Sequence, residues 1–209
     1  MKLIFFKIKV FFLLLFFVTV SVNAQVLTNS QIDSLVQKTM KTFDVPGMAV
    51  AVIKDGKIYH KNTYGVRSLK TGKEVNENTL FGVASNTKAF TTAALAQLID
   101  QGKLSWDTKV TDVIPEFKLH DPYVTAEFTV RDLVTHRSGL GLGAGDLMIF
   151  PANNTTTKAE MIHNLRYLKP VSSFRSKFDY DNLLYIVAGE IVARVSGKSY
   201  DDYIADNFF

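Results

Sequence analysis

The chain's organising stretch runs from Phe81 to Leu104, FGVASNTKAFTTAALAQLIDQGKL, where Ala89, Phe90, Ala93, Ala94, Leu95, Leu98 and Ile99 recur at helical spacing over more than one face. No charge falls between Lys88 and Asp100, so the pattern predicts a largely buried helix, stopped by Gly102. Upstream, Ile32, Leu35, Val36 and Phe43 form an apolar stripe behind a capping box at Ser30 to Asp33, and Pro46-Gly47 is read as its stop. The continuous apolar run Met48 to Ile53, the turn signal Asp55-Gly56 and the segment Lys57 to Tyr64 predict a hairpin whose first strand is buried on both faces. Two strands do not make a stable sheet alone, so further partners are expected. Downstream, Thr129 with Asp132 and Thr157 with Glu160 open short helices ending near His136 and Leu168, and Leu183 to Val195 is an apolar helix ended by Gly197. A last amphipathic piece starts at Tyr200.

The first residues change the picture of the whole. Lys2, Lys7 and Lys9 precede the apolar run Val10 to Val20 and the small-residue site Val22-Asn23-Ala24, the pattern of an export signal cleaved after Ala24. The run is shorter than the roughly 20 residues that span a bilayer, so residues 1–24 are expected to be removed and the mature protein to begin at Gln25 in the periplasm or outside the cell. Their loss removes three lysines and no acid, taking the formal charge from +4 to +1, with 21 basic against 20 acidic residues. A nearly neutral chain carries no electrostatic footprint for nucleic acid. There is no cysteine, which excludes disulfides and a lipoprotein anchor.

Candidate chemistry centres on Ser85-Asn86-Thr87-Lys88. Residues i and i+3 share a helix face, which brings the Lys88 amine to the Ser85 hydroxyl. A helix N-terminus and burial both disfavour a charged lysine, so its amine is suited to accept a proton, while backbone N–H groups there favour an oxyanion. The alternative is that Ser85 is an N-cap and Lys88 a solvated side chain; on these residues alone the two readings stand about even. Tyr180, just ahead of an apolar helix, is placed to move a proton, and Asn182 offers a donor and an acceptor to an amide substrate. A core tyrosine with a capping asparagine is the default reading of that pair. His136 is read as a helix-end histidine bonding backbone carbonyls rather than as a partner of Ser138. Gly139 to Gly145 loosely fits a dinucleotide fingerprint but follows a helix where a strand is required, so it is read as a connector or a mobile loop near the cleft. His60, His120, His136 and His163 show no pair at ligand spacing, so neither a metal nor another cofactor is expected.

Taken in order, Pro46-Gly47, Asp55-Gly56-Lys57, Phe81 to Lys88, Gly102-Lys103-Leu104, Asp132 to Leu140 and Tyr180-Asp181-Asn182 resemble the serine β-lactamase-related family, which includes class C β-lactamases, D-alanyl-D-alanine carboxypeptidases and related esterases. The resemblance implies an α+β fold of the β-lactamase/transpeptidase type, an antiparallel sheet flanked by helices beside a helical subdomain. It also implies Ser85 as nucleophile, Lys88 as its base, Tyr180 as the second acid/base and Asn182 as a contact to substrate and lysine. The implied partner is a small-molecule or peptide substrate: a cell-wall peptide, a β-lactam or a small ester. A non-catalytic binding or sensor module is the rival expectation.

The family's third motif, Lys or His followed by Thr or Ser and Gly, does not follow Tyr180; Lys70-Thr71-Gly72 has the letters but precedes the nucleophile. Residues 25–209 are therefore expected to be the N-terminal part of a longer enzyme, with the sheet incomplete and activity by themselves very weak or nil, since one lost oxyanion donor typically costs about 100- to 1,000-fold in turnover.

Overall fold

The computed structural model describes residues 26–151 and 153–209, so the expected signal segment lies outside the described residues. The chain forms two compact units, one ending at Phe81 and one running from Gly82 to Phe209.

In the first unit, helix α1 (Asn29–Phe43) is followed by β1 (Gly47–Lys54) and β2 (Lys57–Gly65), an antiparallel pair with a register shift between Val52 and Ile53. The cap of α1 is Thr28, whose hydroxyl accepts from the Gln31 N–H, and not Ser30. The helix stops at Asp44, which takes the left-handed conformation (φ 52°), before Pro46-Gly47 is reached. Short polar side chains tolerate that region, so the stop needs no glycine.

Polar side chains tie β2 to α1. Tyr64 Oη donates to Asp33 Oδ1 (2.5 Å), Asn62 Nδ2 donates to the same oxygen (3.1 Å), and His60 Nδ1 lies 3.2 Å from Asn29 Oδ1. The apolar run predicts a strand buried on both faces; instead Met48, Val50 and Val52 are half-buried while Ala49, Ala51 and Ile53 are exposed. Among the described residues β1 pairs only with β2, giving the incomplete sheet that the resemblance implies.

The second unit is helical: α2 (Thr87–Asp100), α3 (Val110–Val113), α4 (Pro122–Glu127), α5 (Val130–Val134), α6 (Lys158–Asn164), α7 (Leu183–Ser196) and α8 (Tyr200–Phe208). Its centre is α7, which buries Leu183, Leu184, Val187, Ala188, Gly189, Ile191 and Val192 and packs against α2, α5, α6 and α8. Helix α2 is less buried than its composition predicts. Thr91, Ala94, Leu95 and Leu98 form one buried stripe, whereas Ala89 and Ala93 are exposed. The helix packs against α7 and α8, and full burial of Leu95 and Leu98 contributes roughly 1.5–3 kcal/mol each. Gly102 (φ 70°) ends α2 as predicted, with N–H bonds from Gly102 to Ile99 and from Lys103 to Leu98.

Both downstream capping boxes form. The Thr129 N–H donates to Asp132 Oδ2 (2.9 Å), and the Thr157 and Glu160 groups bond reciprocally. Asp132 is buried, and burial pushes its carboxyl up, but Arg175 (2.8 and 2.6 Å) and Thr129 outweigh that and hold it below the usual carboxylate range. This pairing pins the chain just ahead of Phe178 to Asn182 onto the start of α5. Helix α6 ends at Asn164 and tightens into a 3₁₀ turn over Leu165–Tyr167, so the predicted element is present in two parts.

Candidate active site

Ser85 sits one turn earlier than an ideal helix start. It lies in a 3₁₀ turn, Ala84–Asn86, immediately before α2. Ala84 adopts φ 45°, a conformation costing about 1 kcal/mol or more for a residue with a Cβ, and the exposed Ser85 side chain follows directly on that bend.

Three side chains meet around it. Lys88 Nζ is 3.0 Å from Ser85 Oγ, and Tyr180 Oη is 2.8 Å from the same oxygen. Lys88 Nζ also donates to Asn182 Oδ1 at 2.8 Å. Ser85 and Lys88 come together through helix geometry alone, whereas Tyr180 and Asn182 arrive from the start of α7. All four residues singled out in the sequence are thus brought together.

The Tyr180 hydroxyl lies below the usual phenol range because Lys88 and then Ser85 hydrogen-bond to it, with burial opposing. The lysine nitrogen also stands 4.8 Å from the Tyr180 ring centroid and 5.4 Å from that of Tyr185.

Two further residues shape the site. His136 stacks on Tyr180 with ring centroids 4.4 Å apart and planes at 23°, and its Nδ1 accepts from the Asp181 N–H at 3.2 Å. It therefore accepts a backbone N–H rather than bonding carbonyls as expected; the chain returns to it from Tyr180, so the partner is a remote segment and not its own helix end. Burial, with help from Lys88, lowers its basicity, so the ring is neutral at neutral pH with its proton on Nε2. Ser138 is not its partner; the Ser138 hydroxyl accepts from the Leu140 N–H (3.0 Å).

Asp146 was not legible as a site residue. Both of its carboxylate oxygens accept from Asn182 Nδ2 at 3.1 Å, which turns Asn182 Oδ1 toward Lys88. The glycine-rich segment is therefore more than a connector. Gly145 sits at the approach with φ 75°, a region that favours glycine, and a Cβ there would stand 2.3 Å from a Leu183 methyl, which would have to shift. Only the acidic residue just past the glycines hinted at this, and acidic loop residues are common.

Asp181 is fully buried. Its Oδ1 accepts from the Leu184 N–H (3.0 Å) at the start of α7, and its Oδ2 has no hydrogen-bond partner. Burial raises its pKa to about 6, and the Asp146 charge adds to the rise.

A cavity of about 600 Å³ opens beside these groups, lined by Ser85, Lys88, Asn182, Tyr185, Ile186 and Tyr200 among others. A larger one, about 790 Å³, lies away from Ser85 between α4 and the segment Pro170 to Arg175, and its walls hold no comparable set of nucleophile and base. Volume alone would favour the second; the convergence on one hydroxyl favours the first. Among the described residues no cluster of three His, Cys, Asp or Glu is placed to hold a metal.

Residues 32–209 match the family model described as Beta-lactamase. Among solved structures, the chain is similar to the octameric penicillin-binding protein homologue from Pyrococcus abyssi, at 30% identity and TM-score 0.73, over 86% of this chain and 42% of that one. It is similar also to a class C beta-lactamase, at 29% identity and TM-score 0.70, over 85% and 46%. Among curated proteins it is 31% identical to the unguisins hydrolase ungD of Aspergillus violaceofuscus, over 78% of this chain and 30% of that protein. It is 28% identical to protein flp of Staphylococcus aureus, over 87% and 36%. The chain thus spans about a third of the length of these curated relatives and under half of the solved ones.

Proposed function

The chain belongs to the beta-lactamase family, and from that premise we propose that Ser85 is the nucleophile of an exported serine hydrolase that cleaves an amide, β-lactam or ester through an acyl-enzyme. The observation that carries this reading is the convergence of two proton-handling groups, Lys88 Nζ at 3.0 Å and Tyr180 Oη at 2.8 Å, on one serine hydroxyl. A nucleophile with a base in hydrogen-bond reach, itself oriented by a third group, is what covalent catalysis needs, and Asn182 is that third group.

In this mechanism Ser85 Oγ bonds to the substrate carbonyl carbon while its proton passes to the neutral Lys88 amine and the carbonyl π electrons move to oxygen. Collapse of the tetrahedral intermediate breaks the bond to the leaving nitrogen or oxygen, which takes a proton from Tyr180. Lys88 then returns its proton to Tyr180, whose hydroxyl lies against the same Ser85 oxygen. Water adds to the ester carbonyl by the same steps, releasing a carboxylic acid and restoring the Ser85 hydroxyl.

The reading is tested with a fluorophosphonate probe and intact-mass spectrometry on the full-length protein. One adduct at Ser85, absent from Ser85→Ala, is the expected result. An adduct on another serine, or none, would establish the binding-module alternative in its place.

Tyr180 must be protonated to serve the leaving group, and its hydroxyl titrates below the ordinary phenol value of 10.0. The kcat/KM profile is therefore expected to fall on the alkaline side at a pH below that value, with the limb absent in Tyr180→Phe. A profile that stays flat to pH 10 in the wild type would remove Tyr180 from the acid role.

Export rests on the lysine-flanked apolar run of residues 1–24. Among the described residues no helix is long and apolar enough to cross a membrane. N-terminal sequencing of exported material should begin at Gln25, and recovery of uncleaved chain in the membrane fraction would contradict cleavage.

A further inference from the structure

Tyr180 lies in a stretch, Phe178 to Asp181, without regular secondary structure, yet its hydroxyl stands 2.8 Å from Ser85 Oγ. Something else must hold it there. The Asp179 N–H donates to the His136 carbonyl at 2.6 Å, and the Asp181 N–H donates to His136 Nδ1 at 3.2 Å. The His136 ring itself lies on the Tyr180 ring, with centroids 4.4 Å apart and planes at 23°. Both amides that flank the tyrosine, and its aromatic face, therefore end on one residue.

That grip uses a particular backbone and an uncharged ring. His136 takes φ 55°, a left-handed conformation that histidine, asparagine and aspartate adopt more readily than other residues with a Cβ. With this bend its carbonyl and its ring meet the same segment. An imidazolium carries a proton on both nitrogens and accepts nothing, so the bond from Asp181 exists only while the ring is neutral. The surroundings keep it neutral. The ring is buried among Phe178, Tyr180 and Tyr185, and Lys88 on α2 opposes a second positive charge. Neither Asp181 oxygen bonds the imidazole, since Oδ1 accepts from the Leu184 N–H and Oδ2 has no hydrogen-bond partner. The Asp179 carboxylate is engaged by Ser172 and Lys177.

Resting on the reading of Ser85 as nucleophile and Tyr180 as its acid, we propose that His136 is a positioning residue whose stacked face and accepting Nδ1 set the Tyr180 hydroxyl against Ser85. It thereby governs proton delivery to the leaving group. The imidazole exchanges no proton with substrate, and its effect passes through the tyrosine.

The experiment follows Ser85 labelling of the full-length protein by intact mass, using the 4-nitrophenyl and the phenyl ester of one phosphonate. Nitrophenoxide leaves without a proton, whereas phenoxide, whose acid has a pKa of about 10, is helped by one from Tyr180. His136→Asn tolerates the backbone and keeps an acceptor for the Asp181 N–H, but removes the stacked ring. It should slow the phenyl ester by about tenfold or more and leave the nitrophenyl ester near the wild-type rate. His136→Phe keeps a stacked face but strands that N–H, and should show the same dependence on leaving group. In a Tyr180→Phe background His136→Asn should add no further loss, because the group it positions is gone. The alkaline limb of Tyr180 should also move up toward 10.0 in His136→Asn, as the phenol slips from the contacts that lower it.

Equal slowing of both esters, or losses that multiply in the double variant, would mean a merely structural role and overturn the proposal. Should the variants not fold, or neither ester label, nitrogen NMR of the wild-type His136 ring decides. A neutral ring protonated on Nε2 is expected at neutral pH; an imidazolium or an Nδ1–H tautomer could not accept from Asp181 and would overturn it. A protein that no phosphonate or fluorophosphonate labels at Ser85 would instead overturn the catalytic reading on which the proposal rests.

Discussion

Lys88→Ala is expected to slow acylation of Ser85 by about 100- to 10,000-fold, the range typical of a lost general base, while leaving the helix that carries it intact. The amine contacts Ser85 Oγ and Asn182 Oδ1, so its removal takes away the proton acceptor and frees the asparagine amide at once. Its helix does not depend on it: Lys88 is only half-buried, and the core stripe of α2 lies at Thr91, Ala94, Leu95 and Leu98. Circular dichroism should therefore be unchanged while probe labelling, followed by intact mass, slows. Lys88→Arg should not rescue the rate, because guanidinium stays protonated and accepts no proton. Labelling as fast as in the wild type would show that Lys88 is not the base.

The second large effect is on stability and comes from Asp181. Its native pKa of about 6 stands above the ordinary value of 3.8 because the carboxyl is buried with one oxygen unpartnered. Below the lower value both states are protonated and the group is neutral toward folding. Between the two the unfolded chain ionises first, so the native state holds more protons and stability falls as pH rises. Above about pH 6 the full difference applies, about 3 kcal/mol at 1.36 kcal/mol per unit.

Asp181→Asn keeps an acceptor for the Leu184 N–H and removes the titration. Whatever constant cost its buried NH₂ adds, the stability of the variant minus that of the wild type should rise by about 2.4 kcal/mol between pH 4 and pH 7. Denaturant unfolding of the two full-length proteins across that range measures the difference. A difference independent of pH, or one that falls, would mean that Asp181 is not held as a strained carboxyl.

The position of the nucleophile and the position of its controls were legible to different degrees. Ser85 and Lys88 are three residues apart, so their meeting follows from helix geometry, as do the Thr129–Asp132 and Thr157–Glu160 caps and the glycine stops of α2 and α7. Such features depend on bonds between near neighbours, whose distances the backbone repeat sets. Tyr180 and Asn182 were found by likeness to a family and not by spacing, because 95 and 94 positions separate them from Ser85 and Lys88.

Nothing local marks Asp146, 36 positions from Asn182, or the stacking of His136 on Tyr180. These pairs exist because the loop after α5 folds onto the start of α7, with Gly145 at the approach and the Arg175–Asp132 pair anchoring the irregular segment before Phe178. The burial of α2 was decided in the same way. Its apolar residues ring the helix, so periodicity could not choose a face, and packing against α7 and α8 buried only one stripe. Hydrophobic and capping patterns, being short-range, were determined by the sequence alone. Which remote polar groups share a site depends on how whole elements pack, and only the tertiary structure decided that.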